Sequence, residues 1–168
     1  NVRDIAVASL GKIGPAPQRV SPALKRIHPA AKSAVPALVK LLSDKIWYVR
    51  SRAAEVLGKI GPSAKSAVPN LVRGLSDKNV DVRGSVAEAL GRIGPTAEIA
   101  VPSLIKLLSD KSADVRDSAA EALGRIDPGS KRVVSSLIKL LSDKIWHVRG
   151  RAAEALGNYG SKAKNAVP

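Results

Sequence analysis

The chain repeats itself every 33 residues. Asp44, Asp77, Asp110 and Asp143 stand at that interval, and so do Arg50, Arg83, Arg116 and Arg149. Pro36, Pro69 and Pro102 keep the same step; Ser135 breaks the proline series and Pro168 resumes it. A fixed period of this length marks a chain of stacked supersecondary units, each too small to bury its apolar face alone. The unit reads A-V-P-x-L-x-K-L-L-S-D-K-x-x-x-V-R-x-x-A-A-E-A-L-G-x-I-G-P.

Each unit reads as two helices. The first is expected from Pro36 to about Ser43, because proline suits a first helical turn whose N–H groups have no partner anyway. Ser43-Asp44-Lys45 is a turn whose Asp can accept from free N–H groups of the next helix. The second helix is expected from about Trp47 to Ile60, with Val49, Ala53, Leu57 and Ile60 as its core stripe. Gly61-Pro62 stops it, since glycine permits a left-handed cap and proline cannot continue. Pro62 to Ala67 has room for one short helical turn. Composition agrees: apolar residues are 45%, aromatics only 2%, and Cys and Met are absent. A core of Ala, Val, Leu and Ile lets helices approach closely, where a sheet would call for more aromatic side chains.

The period of 33 also fits ankyrin repeats, but their T-P-L-H-x-A motif is missing, as is the tetratricopeptide pattern. The string D-K-x-x-x-V-R-x-x-A-A-E-A-L-G-x-I-G instead resembles HEAT repeats of the bilin (phycocyanobilin) lyase-like subfamily. That resemblance implies an all-α, right-handed α-solenoid of stacked two-helix HEAT-like repeats. It further implies that an Asp in the turn and an Arg six positions later form a ladder between units. Asp44/Arg50, Asp77/Arg83, Asp110/Arg116 and Asp143/Arg149 match that spacing, and the role expected of them is structural.

Residues 36–68, 69–101, 102–134 and 135–168 form four repeats in this reading, and residues 1–35 are partial and irregular. Val2-Arg3 through Ile13-Gly14-Pro15 is a second helix lying 47 residues before its counterpart, a slip of 14 in register. A first helix then begins at Pro22, and Ile27-His28-Pro29 takes the place of Ile60-Gly61-Pro62. A natural deletion, a stretch hidden by continuous numbering and an engineered or erroneous sequence all remain open. The chain starts inside one repeat and stops at the start of another, so we expect a piece of a longer solenoid.

Catalysis is not expected. No G-x-S-x-G, phosphate-loop or dinucleotide motif is present. The row Glu55, Glu88, Glu121 and Glu154 recurs in every unit, whereas catalysis needs one asymmetric constellation. Most of these glutamates precede a cation by four residues, which points to ion pairs on a solvated helix face. His28 and His147 are the only histidines. They make no H-x-x-x-H or H-E pair, and the HEAT-repeat hydroxylases that bind iron need several His-Glu pairs. No cofactor or metal is expected. Without cysteine there are no disulfides, and with no long apolar run no membrane span is expected. A cytoplasmic location fits both.

Net charge is +14, which favours an acidic protein or a nucleic acid as partner. The excess is uneven: +5 for residues 1–35, then +4, 0, +1 and +4 for the four repeats. Turn lysines Lys45, Lys78, Lys111 and Lys144 would line one ridge able to follow a phosphate backbone. Specificity should sit where outward positions depart from the repeat. Tyr48, Arg52 and His147, Arg151 occupy the first and fourth units where the middle units have Asp and Ser, and Trp47 and Trp146 precede them. Trp and Arg dominate binding energy when buried at interfaces. The alternative is that each Trp covers small residues one and two turns on, Ala54 and Gly58 or Ala153 and Gly157. We therefore expect a non-catalytic protein-binding scaffold that uses the surface lined by second helices. Candidate contacts are Trp47, Tyr48, Arg52, Trp146, His147 and Arg151, and the partner is another protein, an acidic one on charge grounds. A basic nucleic-acid-binding solenoid and a bilin-lyase-like enzyme or chaperone are the alternatives.

Overall fold

A computed structural model describes the backbone of residues 22–127 and 129–163, and the side chains of 32–127 and 129–158. The partial repeat Val2 to Pro15, the side chain of His28, and Pro168 lie outside what is described.

Among the described residues the chain is helical without strands. Helices α1 (Pro22–Leu41), α3 (Val68–Gly74), α5 (Val101–Leu107) and α7 (Lys131–Leu140) are the first helices of their units. Helices α2 (Trp47–Ile60), α4 (Val80–Ile93), α6 (Ala113–Ile126) and α8 (Trp146–Ala163) are the second helices. The 3₁₀ turns Gly61–Ala67 and Gly94–Ala100 carry the chain from one unit to the next. The result is an all-α solenoid.

Local chemistry sets these boundaries. Asp44, Asp77, Asp110 and Asp143 each accept, through Oδ1, the N–H two residues on at 2.9 Å. The turn is thereby closed just before the second helix begins. Asn79 adds a cap to α4 by accepting from the N–H groups of Asp81 and Val82. Gly61 and Gly94 end α2 and α4 at φ 68° and 78°, a region that L side chains avoid. Asp127 replaces that glycine after α6 and turns the chain at φ −143° instead. At the corresponding place in the first unit stands His28, and there the helix does not stop. It runs from Pro22 through Pro29 and Pro36 to Leu41, so the start expected at Pro36 is not observed. No residue at the His28 position supplies the positive φ that breaks the helix elsewhere, and Val35 and Leu38 anchor the later turns in the core.

The core is a single apolar column running the length of the stack. The stripe Val49, Ala53, Leu57 and Ile60 is buried as the spacing predicts, and Val82, Val86, Leu90, Ile93 and Val115, Ala119, Leu123, Ile126 follow it. Second helices pack against each other in sequence, α2 on α4, α4 on α6 and α6 on α8. Their approach is set by glycine: a Cβ on Gly91 would sit 2.9 Å from Ala122 Cα, and one on Gly124 would sit 2.8 Å from Ala155 Cβ. No helix among the described residues is long and apolar enough to cross a membrane.

Candidate partner-binding site

The recurring Asp and Arg residues meet across units. Arg50 donates from Nε and Nη2 to both carboxylate oxygens of Asp77, at 2.7 and 2.8 Å. Arg83 holds Asp110 at 2.8 and 2.9 Å, and Arg116 holds Asp143 at 2.7 and 2.8 Å. The six-residue spacing inside a unit serves the backbone instead. Nη1 of Arg50, Arg83, Arg116 and Arg149 reaches the carbonyl of its own unit's turn Asp at 2.8 to 2.9 Å. Arg50, Arg83 and Arg116 thus tie their own turn to the next one with planar, paired hydrogen bonds that only a guanidinium can make, while Arg149 reaches its own turn alone among the described residues. The pairs are largely buried. Burial alone would raise the Asp77 and Asp110 carboxyls, but hydrogen bonds from Arg50 and Arg83, with those from the Asn79 and Ser112 N–H groups, bring both below the usual range. For Asp143 the Arg116 hydrogen bonds dominate and act in the same direction.

The outer side of the second helices presents Tyr48, Arg52, Glu55 and Lys59, then the equivalents of later units. Every cation described on it is paired. Glu55 takes both Arg52 and Lys59, Arg92 pairs with Glu88 at 3.2 Å, and Arg125 pairs with Glu121 at 2.6 Å. Arg151 is the most heavily engaged, donating to Asp117 at 3.1 Å and Glu154 at 2.9 Å, with Glu121 at 3.8 Å. Burial would make Arg151 less basic, but Asp117, Glu121 and Glu154 outweigh it and raise its pKa. His147 Nδ1 lies 3.6 Å from Asp117. Asp117 was not among the residues expected to matter. Its position aligns with Ser51, Gly84 and Gly150, so the repeat pattern carries no sign of it, and it meets Arg151 from the neighbouring unit.

Counting charges on this face gives carboxylates Glu55, Asp81, Glu88, Asp114, Asp117, Glu121 and Glu154 against cations Arg52, Lys59, Arg92, Arg125 and Arg151. The face is mildly acidic in a chain of net charge +14. Trp47 and Tyr48 are 44% and 48% exposed and meet edge to face at 6.0 Å. Trp146 is 76% exposed and stands edge-on to His147 at 5.7 Å. Trp146 therefore does not serve as a cover over Ala153 and Gly157, which are themselves exposed. Trp47 is only partly withdrawn, while Ala54 and Gly58 are buried, Gly58 against Ala89 of the next unit.

The positive excess sits elsewhere. The penultimate residues of the first helices are Lys40, Arg73, Lys106 and Lys139, and the turns that follow carry Lys45, Lys78, Lys111 and Lys144. All are exposed, and none has an ion-pair partner among the described residues. The first-helix row recurs at the same period as the turn lysines and was legible in the repeat, but only the helix ends show that the two rows share one edge. Lys40 and Lys45 line one depression with Ser43 and Asp44. Among the described residues no three His, Asp or Glu side chains are placed to hold a metal.

Comparison with known proteins bears on the fold. A model of HEAT repeats matches residues 35–124 and 101–167. No curated protein matches. Among solved structures, an engineered protein superposes with a TM-score of 0.76 at 24% identity, covering 95% of this chain and 75% of that one. A designed armadillo repeat protein in complex with the peptide (KR)4 gives 0.69 at 23% identity, with 92% and 74% coverage. The complex of CpcE and CpcF of phycocyanin lyase from Nostoc sp. PCC7120 gives 0.66 at 21% identity, with 90% and 98% coverage. At these identities the likeness carries the fold alone, and that fold is shared by binders and by a lyase, so it does not decide catalysis. The 33-residue period, the paired helices and the Asp–Arg ladder agree with the match along most of the chain, which belongs to the HEAT-repeat family.

Proposed function

We propose that the protein is a non-catalytic scaffold that binds another protein along the second-helix face, with Trp47, Tyr48, Arg52, Trp146, His147 and Arg151 at the contact. One observation carries the reading. At the two places where the outward row departs from the repeat, large aromatic side chains remain exposed although small-residue seams lie close by. A rigid stack presents such anchors at fixed separations, and a partner that spans several units gains affinity from each.

The acidic partner expected from net charge suits this face poorly. Its cations are already engaged, and its carboxylates outnumber them, which favours a segment bearing Lys or Arg. The similar designed armadillo protein is bound to such a peptide. Calorimetric titration with an alternating Lys-Arg octapeptide and with a Glu octapeptide tests the reading. The basic peptide should bind, and Trp146→Ala and Asp117→Asn should each weaken it several-fold. Equal binding of both peptides, or affinity unmoved by either substitution, would overturn it.

A further inference from the structure

We propose that the edge formed by the first-helix ends and the turns binds the phosphate backbone of a nucleic-acid duplex, without reading base sequence. The surface adjoins the one proposed for a protein partner, Lys45 and Lys144 lying two residues before Trp47 and Trp146, but it does not depend on that reading. Four units each present two exposed cations there, one at the end of the first helix and one in the turn. Among the described residues none of them is in an ion pair, although Lys78 and Lys144 feel the charge of Asp77 and Asp143 beside them. The only carboxylates of the turns are the ladder aspartates, and Asp77, Asp110 and Asp143 are occupied on both oxygens by the arginines of the preceding units. On the second-helix face the opposite holds, because each cation has its carboxylate. Among the described residues this edge therefore carries a run of exposed cations without ion pairs, able to meet an external anion.

The composition of the edge favours phosphate over an acidic protein. Between the cations stand the exposed serines Ser43, Ser76, Ser109 and Ser142. Lys and Ser are depleted at protein interfaces, whereas both are common donors to phosphate oxygens. Spacing is also suitable. Packed helices lie about 8–10 Å apart, and phosphates recur about every 3.4 Å of axis along one strand. Successive units can thus meet roughly every third phosphate of a strand. Seven of the eight cations are Lys, which acts as a point charge and is less suited than Arg to the bidentate recognition of guanine.

Fluorescence anisotropy with two labelled DNA duplexes of unrelated sequence, titrated between low and high salt, tests this. Both should bind alike at low salt, and affinity should fall steeply as salt rises. Changing Lys45, Lys78, Lys111 and Lys144 together to Gln should make the slope of log affinity against log salt shallower by about 4. The same four changed to Arg should keep both binding and slope. Because these side chains are exposed and the ladder uses only their carbonyls, the fold should persist, as circular dichroism will check. If the Gln variant unfolds, the Arg variant decides: retained binding with an unchanged slope supports the proposal, and lost binding overturns it. No duplex binding at low salt, or a slope unchanged in the Gln variant, overturns it. So does competition by polyglutamate as strong as by unlabelled duplex, which would make the edge an acidic-protein surface.

Discussion

The second-helix face and the turn edge are built from the same repeat, yet they use charge in opposite ways. On the face, Arg and Lys lie one helical turn from Glu on the same helix, and such neighbours at i,i+4 find each other. On the edge, Lys78, Lys111 and Lys144 each follow an Asp that is already committed to a guanidinium from the unit before. A side chain's partner is thus fixed by which groups are nearer and better oriented, and net charge says nothing about it. The face is mildly acidic in a basic protein because its carboxylates outnumber its cations, whereas the edge cations have no ion pair among the described residues.

The ladder divides the two regions, and breaking it should have the largest effect. Asp77→Asn leaves the buried Arg50 guanidinium without its anion, and removing one partner of a buried pair costs about 3–5 kcal/mol. Urea denaturation should show a loss in that range. The pH dependence has a definite sign. Because Asp77, Asp110 and Asp143 are held below their ordinary range, their contribution is complete above an unfolded value of about 3.9 and is lost as pH falls through the folded values. Acid titration of stability should therefore be flatter below about pH 4 in Asp77→Asn than in the parent protein.

Two glycines of α4 sharpen the contrast between seam and face. Gly91→Ala forces a Cβ to 2.9 Å from Ala122 Cα, and overpacking of this kind costs about 1–3 kcal/mol. Gly84→Ala meets nothing nearer than Ser118 Oγ at 4.0 Å, so the better helix propensity of alanine should stabilise by up to about 1 kcal/mol. Thermal melts of the two variants should move in opposite directions. The smallest effects separate face from edge. Glu88→Gln removes the pair with Arg92 and should cost roughly 0.2–0.5 kcal/mol. Lys78→Gln removes no ion pair among the described residues and should cost less than Glu88→Gln does. A loss at Lys78 equal to or above that at Glu88 would mean that Lys78 is held in a pair of its own.

Much of the architecture was legible in the linear chain, because a repeat states its own rules several times over. The helix pairs, the Gly-Pro stops and the Asp turn all follow from local propensity and spacing, which need no neighbour. The first unit was misread where that logic fails. Pro36 and Pro29 suggested a start and a stop, but no glycine at position 28 opens the helix, and it runs through both prolines. The candidate site was legible only as a set of departures. That Arg151 would be held by Asp117 depends on two residues 34 positions apart on adjacent helices, with no periodic partner to announce them.

Residue order settled the helical units, their period and the identity of the groups able to form a ladder. Packing settled which of those groups found one another. It joined Arg50 to the Asp77 carboxylate and to the Asp44 carbonyl. It also kept Trp146 in solvent and left the turn lysines without ion pairs among the described residues. The physical reason is range. Helix and turn formation act over a few residues, whereas the pairing of charges and the exposure of a ring are fixed by distances between units, and those distances exist only once the stack has formed.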